Sequence, residues 1–285
     1  MNRIVLRSPA KLNLILKVLN KRPDGYHNLK TVFERIDLCD DIVLERNSSG
    51  KIRILCPDPQ VPKGPKNLVY RAARTLQMDC GCRYGVTVRI RKRIPVAAGL
   101  AGGSSNAATT LLGLNQIWGL RLSRPKLLDY ALRIGSDVPF FLMDCRWALG
   151  EGRGEQLTKL NIPTRLWHVL VVPRVKIYTK EVFVRLNLEL TKTIDNVNIL
   201  TQSLINKDYQ RMKGLLSNDL ESSILAIRPQ LAVLKRRLAA LNTLDVSFSG
   251  SGPSVFGITN CEKDARAIQA ILRRKYSRVF VAQTA

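Results

Sequence analysis

Between Pro95 and Ala108 the chain reads PVAAGLAGGSSNAA, and few stretches restrict a fold as tightly. Upstream, Gly85 to Ile94 has the β-branched pattern of a strand; downstream, Ala107, Ala108, Leu111, Leu112, Leu114 and Trp118 recur at helical spacing until Gly119. A strand therefore turns through a glycine-rich bend into a helix. Gly99, Gly102 and Gly103 let backbone N–H groups approach an anion, and Ser104, Ser105 and Asn106 add side-chain donors at a helix N-terminus. A capped turn alone needs one glycine and one serine, not this density of both. The segment lacks the Gly-Lys-Ser/Thr ending of a P-loop and the glycine spacing of a dinucleotide fold, so a phosphate cradle of another kind is expected.

The rest of the chain supplies strands first and helices later. Arg3 to Val18, Ile36 to Leu44 and Lys51 to Leu55 read as strands, with a tight turn at Asp24-Gly25. A helix is expected from Asn67 to Leu76, and another from the N-cap Ser123 to Ile134 with Gly135 as terminator. A short helix follows Gly135-Ser136-Asp137-Val138-Pro139, and Leu166 to Pro173 reads as a strand. Helices are expected at Lys180–Leu190, Asn198–Lys207, Asp219–Ala226 and Gln230–Leu241. Strand Asp245–Ser249, a glycine loop, strand Ser254–Ile258, helix Glu262–Lys275 and strand Arg278–Ala282 close the sequence. The pattern predicts an α+β protein of two halves meeting at a cleft, divided at 1–160 and 161–285.

Composition narrows the function classes. No run approaches the ~18 apolar residues of a membrane span, and Arg3, Arg7 and Pro9 interrupt the apolar letters of the N-terminus, so a soluble, cytoplasmic protein is expected. The 6 cysteines include no Cys-x-x-Cys pair and the 2 histidines, His27 and His168, stand apart from them, so no structural metal is expected. The formal charge of +24 is spread through the chain. It suits polyanionic small molecules; a specific nucleic-acid reader is disfavoured by an aromatic content of only 6%. Serine hydrolysis lacks its Gly-x-Ser-x-Gly elbow.

Three segments together resemble the GHMP kinases, the family of galactokinase, homoserine kinase and mevalonate kinase. They are Ser8-Pro9-Ala10-Lys11-Leu12-Asn13-Leu14, the Pro95 to Ala108 loop, and Phe248-Ser249-Gly250-Ser251-Gly252-Pro253-Ser254-Val255-Phe256. The resemblance implies a two-domain fold, with an ATP-binding half at 1–160 and a ferredoxin-like half at 161–285. Asp24-Gly25-Tyr26-His27, Asn67-Leu68-Val69-Tyr70, Gly135-Ser136-Asp137-Val138-Pro139-Phe140-Phe141 and Gly152-Arg153-Gly154-Glu155 are similar to one branch of the family. That branch phosphorylates the 2-hydroxyl of a cytidine diphosphate conjugate of methylerythritol, in the non-mevalonate route to isoprenoid precursors. Homoserine or a sugar is the competing acceptor.

What the resemblance implies for single residues differs from what each would suggest alone. Asp137 alone reads as a helix N-cap; by resemblance it accepts the proton of the attacking hydroxyl, with Lys11 beside it. The ATP phosphates fall to Pro95, Val96, Ala97, Ala98, Gly99, Leu100, Ala101, Gly102, Gly103, Ser104, Ser105 and Asn106, and the adenine pocket to Asn67 and Leu68. Asn13 is expected on the methylerythritol hydroxyls, Tyr26 and Phe183 on the two faces of the cytosine ring, and His27 on its polar edge. Ala98 and Ala101 stand where other members carry glycine, and their Cβ atoms ask for negative φ. No magnesium carboxylate is evident, so Mg²⁺ is expected to arrive with ATP, held by phosphates and water.

Overall fold

The computed structural model describes residues 2–188 and 196–285. Two compact units emerge. One comprises the residues up to Ala10, Leu38–Val96 and Ala101–Asp144; the other comprises Lys11–Asp37, Ala97–Leu100 and the chain from Cys145 onward. Two long strands, β1 (Arg3–Lys21) and β2 (His27–Asn47), contribute residues to both.

In the first unit Asp41–Asn47 of β2 pairs antiparallel with β4 (Gly85–Arg91), which runs parallel to β3 (Ile52–Leu55). Helices α1 (Leu68–Asp79), α2 (Gly102–Ile117), α3 (Arg124–Ile134) and α4 (Val138–Leu142) complete it. Asn67 caps α1, its side-chain oxygen accepting Val69 N–H at 2.8 Å, and Ser123 caps α3 through Lys126 N–H. Such caps stabilise a helix by about 1 kcal/mol. Gly135 ends α3 as expected, but at φ 176 it is extended chain, not a left-handed cap. Helix α2 is buried along most of its length, and Gly113 is why it lies so close to the sheet. A Cβ there would collide with Leu44 and approach Leu6.

In the second unit Leu29–Glu34 of β2 pairs with β5 (Trp147–Gly152), which forms a hairpin with β6 (Gln156–Leu160). Neither hairpin strand is expected from the sequence pattern, because Gly150, Glu151 and Gly152 dilute the alternation that marks a strand. The unit's other sheet uses β7 (Trp167–Val171), β9 (Asp245–Phe248), β10 (Val255–Thr259) and β11 (Val279–Gln283) in the antiparallel order β11-β7-β10-β9. This is the order of a ferredoxin-like sheet. The two-residue β8 (Ser217–Asn218) lies parallel to β1 at Ile15 and Leu16.

Helices α5 (Thr179–Val184), α6 (Val197–Asn206), α7 (Glu221–Ile227), α8 (Gln230–Ala239) and α9 (Glu262–Arg273) belong to this unit. The helix expected from Lys180 stops at Val184, after a Val-Phe-Val run of weak helix formers. Its expected end, Leu190, lies outside the described residues. Val169, Val171, Phe248 and Val255 of the sheet form one apolar core with Leu234 and Leu238 of α8 and Ala265, Ile268 and Leu272 of α9. Each large aliphatic side chain buried there contributes roughly 1.5–3 kcal/mol.

Candidate active site

Alternate residues of a strand share one face, so Lys11, Asn13 and Ile15 point the same way from β1. Lys11 is 4% exposed, its ammonium donates to Asn13 Oδ1, and it lies 5.3 Å from the centre of the Phe33 ring. Asn13 passes the polarity on through Nδ2, which donates to Thr31 Oγ1 at 2.8 Å, and Thr31 donates to the Ile15 carbonyl at 2.6 Å. The lysine charge is thus held by a chain of hydrogen bonds, with an aromatic face beneath it. Gly250 abuts the same group: a Cβ there would lie 3.4 Å from Asn13 Oδ1 and 3.6 Å from Lys11 Nζ.

Within the same unit, the bend Ala97–Leu100 meets the glycine loop that joins β9 to β10. Ser249 Oγ donates to the Gly99 carbonyl at 2.9 Å and Ser254 Oγ to the Ala98 carbonyl at 2.5 Å. Lys11 N–H donates to the Leu100 carbonyl at 3.2 Å. Gly99 has φ +76, and a Cβ on it would collide with the Ser249 carbonyl oxygen, so this position needs glycine on both counts. The expectation that alanine keeps φ negative fails at Ala101, which takes φ 53, as does Ala97. The left-handed region costs alanine roughly 1–2 kcal/mol but is sterically open to it. At Ala101 the turn leads straight into α2, whose first bond runs from Ser105 N–H to the Ala101 carbonyl at 2.9 Å.

In the first unit the opening turn of α2 leaves backbone N–H groups without helical acceptors. Gly103 is exposed there and Ser104 half-buried. Ser105 and Asn106 are buried: Ser105 Oγ lies 2.7 Å from Ser8 Oγ, and Asn106 Nδ2 donates to Ser8 Oγ and Asp40 Oδ2, each at 2.8 Å. Their side chains fasten the helix to the strands, leaving Ser104 and the backbone as the outward donors. Asp40 also pairs with Lys92 and accepts the N–H groups of Arg93 and Ile94 at 2.7 and 2.9 Å. Lys92 Nζ would lie 3.1 Å from a Cβ on Gly102, so a cation stands at the start of α2. Leu68 reaches the same end, 3.9 Å from where a Gly103 Cβ would be. Pro95 and Val96 lead into the bend, half-buried.

The Asp24-Gly25 turn presents Tyr26 and His27. Arg22 pairs with Asp24 at 3.0 Å, Tyr26 N–H donates to Asp24 Oδ1 at 3.1 Å, and Gly25 takes φ +84. His27 stacks on Phe183 of α5 with centroids 5.1 Å apart and planes at 28°. Burial, and then the charge of Lys21, push the His27 imidazole below its ordinary value of 6.5. Tyr26 is 58% exposed and lies under the guanidinium of Arg153, 5.1 Å from its ring centre. The residues expected at a base therefore gather in two stacks, His27 with Phe183 and Tyr26 with Arg153.

The profile of the GHMP kinases N terminal domain matches residues 67–144, and that of the GHMP kinases C terminal domain matches residues 200–278. A 4-diphosphocytidyl-2-C-methyl-D-erythritol kinase of Geobacter metallireducens is 41% identical, over 95% of this chain and 95% of its own. One of Bacillus velezensis is 40% identical over 99% and 96%. The chain belongs to this kinase family. A crystal structure of 4-(cytidine 5'-diphospho)-2C-methyl-D-erythritol kinase superposes with a TM-score of 0.85 at 33% identity, covering 98% of each chain. A homoserine kinase from Cytophaga hutchinsonii shares the fold at a TM-score of 0.79 and 19% identity.

As a member of the GHMP kinases the chain uses ATP as phosphoryl donor. Asp137 lies in the first unit at the N-cap position of α4, half-buried, and its side chain makes no capping hydrogen bond. Several of the pairings described above escape a reading of the sequence. Asp40 and Lys92 are 52 positions apart, Asn13 and Thr31 are 18 apart, and Ser249 and Gly99 are 150 apart. Such pairs carry no local signature. Arg153 alone had one, since it sits in the Gly152-Arg153-Gly154-Glu155 turn, where Glu155 Oε2 accepts its N–H at 2.5 Å.

Proposed function

We propose that the chain transfers the γ-phosphoryl group of ATP to the 2-hydroxyl of 4-diphosphocytidyl-2-C-methyl-D-erythritol, giving the 2-phosphate and ADP. The observation that carries this reading is the pair of full-length relatives near 40% identity that bear this kinase's name. The hydroxyl oxygen forms a bond to the γ-phosphorus while the bond from that phosphorus to the β,γ-bridging oxygen breaks. The hydroxyl proton passes to Asp137, and ADP leaves with the electron pair. Because transition states of phosphoryl transfer are loose, alignment and charge matter more than a strong base. Lys11, desolvated and braced by Asn13, is suited to favour the developing alkoxide and to keep a nearby carboxylate ionised.

Residues 95–106 would take the phosphates, with the N–H groups of Gly102 to Ser104 supplying positive partial charge at the start of α2, beside a Lys92 whose own charge is paired with Asp40. Asn67 and Leu68 would flank the adenine; the polar atoms of Asn67 cap α1 and donate to the Pro62 carbonyl at 2.6 Å, so its part there is to fix the wall. Tyr26, His27 and Phe183 would hold the cytosine. Since His27 covers one face of Phe183, a base reaching that face displaces the imidazole. Asn13 would meet the methylerythritol hydroxyls through the remaining lone pair of its Oδ1.

No group of three or more His, Cys, Asp or Glu among the described residues is arranged to hold a metal ion. Magnesium would arrive with the nucleotide, held by its phosphates and water, where it would offset their charge. The division into an ATP-binding half at 1–160 and a second half at 161–285 is proposed on the family likeness; the compact units divide the chain differently, with Lys11–Asp37 and the residues from Cys145 onward in the second. Among the described residues no two cysteines are joined by a disulfide, which suits the reducing cytoplasm. Among the described residues, no helix is long and apolar enough to cross a membrane. A coupled assay of ADP release tests the function: release that depends on the cytidine conjugate supports it. Release with homoserine, and none with the conjugate, would overturn it.

A further inference from the structure

Two consecutive residues outside every motif above reach both sides of the Lys11 group. Asn218, in β8, is 5% exposed, and its Nδ2 donates to the Phe248 carbonyl at 3.0 Å and the Gly250 carbonyl at 2.8 Å. Its Oδ1 accepts Leu220 N–H at 2.9 Å, so the amide cannot rotate without losing three bonds. Asp219, next in sequence, accepts Val18 N–H at 2.9 Å and pairs with Lys17 at 3.5 Å, while its own N–H donates to the Leu16 carbonyl at 2.9 Å. The dipeptide thus fastens the strand that carries Lys11 and Asn13, and the loop that carries Gly250, to one point.

The consequence falls on one peptide unit. Gly250 has φ +55 and abuts Lys11 Nζ and Asn13 Oδ1. The carbonyl of Gly250 and the N–H of Ser251 belong to the same planar trans amide and point in opposite directions. An amide side chain that holds the carbonyl therefore fixes which way the Ser251 N–H faces. Loop backbone without such an anchor samples several orientations, and a transfer that depends on alignment suffers from each wrong one.

We infer that Asn218 is a positioning residue for the transfer, holding the Gly250-Ser251 peptide against the Lys11 and Asn13 side chains. This rests on the kinase reading above. The test uses the full chain, with kcat and KM measured separately for ATP and for the cytidine conjugate. Asn218→Asp keeps the size and the acceptor for Leu220 N–H but loses both donated bonds; Asn218→Ala loses all three.

Both are expected to lower kcat about 10- to 100-fold while each KM moves by less than about threefold, the pattern of an interaction that matters in the transition state. Val279→Ala, which trims the same core on β11, a strand separated from β10 by β7, is the control for lost stability and is expected to hold kcat within about twofold. A wild-type kcat in the Asn218 variants overturns the inference, as does a fall no greater than that of a control with equal loss of Tm. Failure of both variants to fold overturns it too, because Asn218 then serves the fold instead of the transfer. A wild-type chain that releases no ADP with the conjugate refutes the kinase reading itself, which separates the two failures.

Discussion

Asp137 begins a five-residue helix but makes no capping bond, so its carboxylate is not spent on the fold. Replacing it should therefore cost activity and little else. Asp137→Asn is expected to keep Tm and nucleotide affinity and to lower turnover roughly 10²- to 10⁴-fold, the range for loss of a general base. Isothermal titration with ADP beside the coupled assay checks both halves; wild-type turnover would remove Asp137 from the mechanism. His27 offers a second test at this scale. Burial and Lys21 both disfavour its charged form, so its folded value lies below 6.5, and the imidazole is neutral at pH 7. The unfolded chain then takes up this proton first, so the group disfavours the fold as pH drops through 6.5 toward the lowered value. Lys21→Gln removes one of the two causes and should move the NMR titration midpoint of His27 upward, toward 6.5. An unmoved or lowered midpoint would contradict the assigned cause.

Elements were legible in the sequence where one period dominated. Helix α1, helix α3 with its Ser123 cap, helix α2 behind its glycines, and the β9 to β10 hairpin all follow from local pattern. The β5 to β6 hairpin did not, since glycines and charges break its alternation, and β8 is too short to show any period. The candidate site divides in the same way. Its glycine loops and its Asp-Gly-Tyr-His turn are contiguous words, whereas the Lys11-Asn13-Thr31 chain and the Asp40-Lys92 pair exist only once distant strands align. Ala101 shows the limit of residue rules, because the helix entry fixes a φ that alanine would otherwise avoid. The loops also yield predictions. Gly99→Ala adds a Cβ where the Ser249 backbone stands and at φ +76, so strain of about 1–3 kcal/mol must be relieved by moving the bend. A rise of about tenfold or more in KM for ATP is expected, with a lowered Tm; unchanged values for both would show that the bend is not held as described. At the far end of the chain, Thr284 Oγ1 donates to the buried Glu34 at 2.5 Å and accepts Leu166 N–H at 2.7 Å. Thr284→Val strips a donor from a buried carboxylate and orphans a backbone amide, so stability should fall by about 1–3 kcal/mol in urea unfolding, with kcat unaltered. An unchanged midpoint would mean that water replaces the hydroxyl.

Over the whole molecule, 46 lysines and arginines stand against 22 acids, and very few of these cations are needed to hold phosphates at one site. Some pair on the surface, as Arg133 does with Asp79 and Arg266 with Glu262, but exposed pairs of this kind add little stability. A net charge of +24 instead creates a long-range field. Both proposed substrates are polyanions, so the field should raise their rate of encounter without altering the chemistry once they are bound. Added salt shortens the reach of that field, from a Debye length of about 10 Å at 0.1 M to about 3 Å at 1 M. Across this range kcat/KM for ATP and for the cytidine conjugate should fall several-fold, while kcat at saturation stays nearly constant. A neutral crowding agent at matched viscosity should not reproduce the effect. If kcat/KM stays flat while the chain binds RNA with a steep salt dependence, the charge serves a nucleic-acid partner and not substrate capture.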